Sequence, residues 1–317
     1  TTEIYTLSLH DALPILTKAN GVVRVTCTLM MVLGTATAGM ALDVKWDMFA
    51  RAGQYLAGAI LVVIASIGLA MSFLTPRHPA GGATRPFPSY GPRVTLSILW
   101  RIKDDLLLKL SVFGTAIFFF VVGLMMLVIN EMGVNQWSLT KTVTSFLILS
   151  MFIGVAAGSL FVSKIAKGKR WYKYHPLLLA LMALILLSVA MTPLLPDFVL
   201  ISYQSHHISL KYAVVFGLLG LAGLTGGMFF IPMESFIQLH PPLEQKGEII
   251  SAANFSAMAG VLISGPIYYV LAADTLLGLH PTECFVAMAM IAALLAAWVY
   301  FGLKRVDAGD AGDYCGI

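Results

Sequence analysis

Glu234 and Gln238 are the side chains in this sequence best placed to do chemistry, because both lie in a long apolar segment just after a proline. The two residues are one helical turn apart and project from the same helix face. Pro232 removes the hydrogen bond to the carbonyl of Met228, which must then find another partner or line a cavity. An ionisable residue inside a membrane span indicates a functional site. The alternative is that Glu234 reaches water at the end of the span or pairs with Lys246.

The composition around these residues is that of a membrane protein. Hydrophobic residues make up 58% of the chain and charged residues 11%, with a mean hydropathy of +0.85, whereas a soluble domain has about 25% charged residues. A hydrocarbon core of ~30 Å needs about 20 helical residues. Eight segments are long enough, and they lie at about 20–41, 50–75, 105–130, 139–164, 175–195, 210–238, 248–273 and 282–304. The three cysteines are scattered and no histidines cluster, so we expect no metal and no cofactor.

The charge distribution divides the chain and orients it. Residues 76–104 are rich in Pro and Gly and basic, and they predict a cytoplasmic linker between residues 16–75 and a six-helix bundle at 105–305. Alternating the sides from Leu16 puts 16 of the 20 Lys and Arg residues inside, a strong positive-inside bias. The tail at 306–317 is then cytoplasmic. We expect no nucleic-acid partner, only membrane lipids and a small-molecule substrate.

The opening residues 1–15 do not resemble a protein N-terminus. Their sequence matches, in one reading frame, the translation of a DNA adapter used in short-read sequencing, which predicts an artefact joined at Leu16. Two spans, a long linker and six spans would then be helices 5–12 of a twelve-helix carrier. The Ala-Asn pairs at Asn20 and Asn254, each near the inner end of its span, agree with such a six-plus-six repeat.

Three stretches resemble the major facilitator superfamily and its lysophospholipid-transporter branch. The most specific is "GGMFFIPMESFIQLHPPLEQKGEIISAANF" (226–255), although Glu234 stands where the branch has Asn. "GSLFVSKIAKGKRWYKYHPL" (158–177) resembles the turn between helices eight and nine, without the Asp of the general loop motif. "KANGVVRVTCTLMMVLGTATAG" (18–39) resembles the fifth helix. The resemblance implies an all-α bundle that moves a lysophospholipid across the bacterial inner membrane, and an acyltransferase as partner or fused domain.

Five residues are candidates for contact with that substrate. Besides Glu234 and Gln238, they are Asn254, Asn20 and Arg24, which lie near the inner ends of their spans. Asn side chains also cap helices or hydrogen-bond between them. Arg24 would meet a phosphate or the Glu234 carboxylate, or else extend to lipid headgroups.

A second group of residues is expected to support gating or packing. Small residues let helices approach closely and slide, while basic residues at an inner loop first of all set topology. The candidates are Gly158, Lys164, Lys167, Arg170, Gly226, Gly227 and Pro232.

The sequence therefore predicts a truncated all-α bundle of eight spans that works as a secondary transporter by alternating access. Nucleophile elbows, phosphate loops and paired catalytic carboxylates are absent from the sequence, so an enzyme is not expected. Two other interpretations of the function stay open. One is a proton-coupled drug or small-solute exporter of the same superfamily, with Glu234 as the coupling carboxylate. The other is a membrane anchor for a lost acyltransferase.

Overall fold

Helices dominate the part of the chain that the computed structural model describes, which is 26–43 except 28 and 32, 52–74, 91–165, 171–196, 198–203 and 206–309. The main helices are α1 (Leu29–Asp43), α2 (Ala52–Ser72), α3 (Gly91–Arg101), α4 (Leu106–Glu131), α5 (Lys141–Ile165), α6 (His175–Ala190), α7 (Leu210–Leu239), α8 (Leu243–Ala272) and α9 (Pro281–Gly309). The strands β1 (Val199–Tyr203) and β2 (His206–Ser209) form an antiparallel hairpin just before α7.

Seven helices within the described residues, α2 and α4 to α9, are long and apolar enough to cross a membrane. The all-α membrane fold expected from the sequence is confirmed at this level. The segment expected at 20–41 is described only in part, and α1 covers its second half as a shorter apolar helix. We call the end of the bundle at which α3 lies the linker side, and the opposite end the far side.

The element boundaries differ most from the expected ones at the end of α6, which stops at Ala190 instead of about residue 195, at the end of α9, which runs to Gly309 instead of about 304, and at the start of α8. This helix begins at Leu243 instead of about residue 248, so only His240, Pro241 and Pro242 separate it from α7. Its first turns are polar, so a search for apolar segments does not detect them. They are helical because Gln, Lys and Glu favour helices. The end of the linker forms the short helix α3, and Asp105 separates its 3-10 extension from α4.

The core of the bundle is built around α4 and α7. α4 packs against α7, α8 and α9, while α5 lies along α7 and α6 lies between α7 and α9. Leu124, Leu186 and Phe285 are fully buried in the far-side half, and Phe229 and Val299 in the linker-side half. The remaining apolar surface is exposed, and the apolar window of α2 has none of its residues buried.

Candidate functional site

The segment around Pro232 is a continuous part of α7. Ser209 caps the start of this helix by accepting a hydrogen bond from the Tyr212 N–H, at 3.3 Å. Pro232 is half-buried within the helix, and Glu234 and Gln238 are half-buried in its last two turns. Both polar side chains already make interactions. At ~1.5 Å per residue, Glu234 lies about 36 Å along α7 from its far-side start, at the linker-side end of the span.

Glu234 and Gln238 lie on the face of α7 that packs against α5. Glu234 follows Gly227 by seven residues, a spacing that returns to the same helix face. A Cβ at Gly227 would overlap the Val155 carbonyl, and a Cβ at Gly158 would overlap the Leu224 carbonyl. The two helices therefore touch backbone to backbone. We call this contact the α5–α7 seam.

Gly226 faces α4 instead of α5, and it lies against a side chain instead of backbone. A Cβ there would come 2.9 Å from the ring of Phe118 on α4. Phe118 stacks on Phe230 with ring centroids 5.2 Å apart. Gly226 therefore makes room for an aromatic side chain, whereas Gly158 and Gly227 make room for backbone.

Asn254 lies on a different surface from Glu234 and Gln238, which we call the α7 pair. Its side chain is exposed on α8, twelve residues into the helix. The opposite face of α8 packs tightly on α4, because a Cβ at Gly260 would overlap the Ala116 carbonyl. Asn254 is followed on the exposed face by Phe255, Met258 and Leu262, which are 49%, 57% and 77% exposed. The exposed row thus consists of one amide followed by apolar side chains.

The structure therefore brings some of the expected site residues together and separates others. Gly158 and Gly227 form the α5–α7 seam, and Glu234 and Gln238 lie further along the same face of α7 by helical spacing, while Asn254 lies on the open face of α8. Lys164 belongs to the last turn of α5, but its side chain is outside the described structure. Four further candidates lie outside the described residues, namely Asn20, Arg24, Lys167 and Arg170.

A narrow crevice opens between α4, α5, α6 and α7. All of its lining residues are uncharged, and they are Phe118, Val121, Val122, Met125, Met151, Val155, Met182, Ala222, Gly223 and Gly226. It therefore offers no partner for a charged headgroup. Within the described residues, no group of His, Cys, Asp or Glu side chains is arranged to hold a metal ion.

A family model described as Major Facilitator Superfamily matches residues 11–266 of the 317. The chain belongs to the major facilitator superfamily. Members of this superfamily are transporters, so the chain is a multi-pass membrane protein of a transporter family, in agreement with its apolar helices. No curated protein and no solved structure matches the chain. The origin of residues 1–15 and the lysophospholipid branch stay predictions.

A polar network on the linker side of this superfamily member was not expected from the sequence. The Asp105 carboxylate accepts hydrogen bonds from the Leu108 N–H at 2.9 Å and from His240 Nε2 at 2.7 Å. The His240 ring stacks on Phe236 with centroids 4.3 Å apart. Burial raises the pKa of the Asp105 carboxyl, but the hydrogen bonds from His240 and Leu108 outweigh it and lower the pKa below 3.8. In the sequence, an Asp directly before an apolar segment indicates the N-cap of a helix.

A buried histidine also escaped the sequence analysis. His175 opens α6 and is 1% exposed. Its two ring nitrogens lie 3.1 Å from the backbone carbonyls of Tyr172 and Phe229, so the ring joins the start of α6 to α7. Nothing in the sequence indicates that contact, because the partner on α7 is 54 residues away.

Proposed function

We propose that this superfamily member is a secondary carrier that flips a lysophospholipid, similar to lysophosphatidylethanolamine, across the bacterial inner membrane by alternating access. The substrate class rests on the resemblance of residues 226–255 to the lysophospholipid-transporter branch. The exposed row on α8 is the structural observation that supports it. A one-chain amphiphile needs one polar contact for its headgroup and an apolar path for its tail, and Asn254 with the following apolar residues offers both.

The α7 pair supports a second headgroup contact nearer the linker side. Glu234 is a carboxylate, and a carboxylate attracts the ammonium group of an ethanolamine headgroup. Gln238 lies one turn further on and can both donate and accept hydrogen bonds. In this proposal the headgroup meets Asn254 and the α7 pair at different stages of transport, because the two surfaces do not coincide in the described structure.

The orientation is also part of the proposal. The linker side would face the cytoplasm, because the inside segments hold 16 of the 20 Lys and Arg residues. The C-terminus would then be cytoplasmic as well.

The test is uptake of labelled lysophosphatidylethanolamine by spheroplasts that express this chain. Asn254→Ala should lower the initial rate about fivefold, the equivalent of one hydrogen bond of about 1 kcal/mol. Ser251→Ala, also exposed and one turn away on α8, is the matched control and should leave the rate unchanged. Uptake equal to that of empty-vector spheroplasts would refute the lipid assignment.

Glu234 also favours a second candidate, a proton-coupled exporter of drugs or small solutes. An ionisable residue within a span is a natural proton carrier. Export that stops when the proton gradient is collapsed, and that is lost in Glu234→Gln, would support this candidate. Lipid uptake that survives both treatments would exclude proton coupling through Glu234.

A further inference from the structure

The part of the chain before the linker contacts the part after it on the far side. The Asp43 carboxylate, at the end of α1, accepts hydrogen bonds from the Lys141 N–H at 3.2 Å and the Thr142 N–H at 2.6 Å. It also accepts one from the Thr142 hydroxyl at 2.5 Å. One turn earlier, Gly39 lies directly against Ser145, where a Cβ would overlap the serine side chain. α1 therefore meets the first turn of α5 at two adjacent levels.

These contacts complete the capping of α5. The first N–H groups of a helix have no partner within it. In α5, the Val143 N–H is satisfied locally by the Thr140 hydroxyl at 3.3 Å. The two N–H groups before it, those of Lys141 and Thr142, are satisfied by Asp43, which lies 98 residues earlier than Lys141. One cap thus belongs to α5 itself, and the other is supplied from across the linker.

The charges at this contact favour it as well. A carboxylate at a helix N-terminus is stabilised by the helix dipole, and Lys141 adds a direct attraction. Burial raises the pKa of Asp43, but hydrogen bonds from Thr142 and Lys141 and the charge of Lys141 outweigh burial and lower it. Asp43 therefore stays a carboxylate, the form that caps most strongly.

We propose that the Asp43–α5 contact is a latch that holds the far side of this carrier closed. The proposal rests on the carrier part of the proposed function, in which the helices before and after the linker move relative to each other. Opening the far side would separate α1 from α5 and leave the Lys141 and Thr142 N–H groups to water. The Thr140 cap would be kept in both states. Of the two caps, only the Asp43 cap therefore contributes to the difference in free energy between the two states.

The distance between the two parts on the far side is the direct measurement. Spin labels at Tyr55→Cys on α2 and Leu277→Cys after α8, in a chain whose three native cysteines are replaced, would be read by pulsed electron paramagnetic resonance in lipid nanodiscs without substrate. Tyr55 and Leu277 are 68% and 59% exposed, so both positions tolerate a label. The relative amounts of short and long distances report the closed and open far side.

Asp43→Ala should lower the closed-to-open ratio about tenfold, which corresponds to about 1.4 kcal/mol. Asp43→Asn, which keeps an acceptor oxygen without the charge, should lower it less. Thr140→Val is the matched control, since it removes a cap that both states keep, and it should leave the ratio unchanged. Thr142→Val should shift the ratio in the same direction as Asp43→Ala, and it decides the question if Asp43→Ala is not monodisperse.

An unchanged ratio in the Asp43 variants would overturn the latch, as would a shift no larger than that of Thr140→Val. Because the distances are measured without substrate, the outcome is independent of the lipid assignment. Failed lipid uptake with a shifted ratio would refute the substrate and keep the latch, and the reverse result would do the opposite.

Discussion

The α5–α7 seam makes Gly158→Ala the most sharply defined perturbation in this protein. The added methyl group would overlap the Leu224 carbonyl, and backbone cannot rotate away as the end of a flexible side chain can. Gly217 on α7 provides the opposite case, because nothing lies within 4 Å of its virtual Cβ. The two substitutions make the same chemical change in a transmembrane helix, and only one of them meets a neighbouring helix.

The expected magnitude follows from this geometry. α5 and α7 would have to separate by about 1 Å to restore ordinary carbon–oxygen contact, and the dispersion contacts along the seam would weaken. Overpacking of this kind costs about 1–3 kcal/mol, offset by up to about 1 kcal/mol from the better helix propensity of Ala. A net cost of about 1–2 kcal/mol in a bundle of this size lowers the apparent Tm by about 2–8 °C.

Thermal unfolding of the detergent-solubilised chain, followed by the fluorescence of its five tryptophans, measures this difference. Gly158→Ala should unfold at a lower temperature than the wild type, and Gly217→Ala at the same temperature or a higher one. If Gly158→Ala unfolds no earlier than Gly217→Ala, the backbone contact at the seam does not limit the packing, and the reasoning is refuted.

Two further predictions concern the residues that the sequence analysis missed. Because the folded-state pKa of Asp105 is lowered, its stabilising contribution is present above about pH 3.8 and is lost as the pH falls from there through the lowered pKa. Asp105→Asn should therefore lower the apparent Tm at pH 7, and the difference in Tm from the wild type should shrink as the pH falls towards 3. The exposed neighbour Asp104→Asn is the control and should show neither effect. Equal effects of the two substitutions would contradict the prediction. His175→Leu removes a buried ring whose two nitrogens both lie 3.1 Å from backbone carbonyls, one of which accepts a hydrogen bond from the ring N–H. The loss should cost about 1–3 kcal/mol in the same unfolding assay, with the exposed His280→Leu as control, and a cost no larger than that of the control would contradict it.

Hydropathy and charge were sufficient to predict the helical layout from the sequence. A span needs about 20 apolar residues because lipid offers no partner for the backbone, so α4, α5 and α7 begin and end within a few residues of the expected positions. The same criterion missed the polar start of α8, where helix propensity and Pro242 set the boundary instead. Gly158 could be predicted as a packing position, because small residues in a span let helices approach closely.

Only the tertiary structure decided which helices pack together and which neighbour each side chain faces. Hydropathy reports whether a helix is in lipid but not which neighbour it touches. For this reason Glu234 could be predicted as an intramembrane carboxylate, but the contact of its helix face with α5 and the separation of Asn254 from it could not. Asp43 reaches α5 from 98 residues away, and His240 reaches Asp105 across 135. Such contacts follow from the packing of whole helices, because no local pattern carries the free energy that selects one distant partner over another.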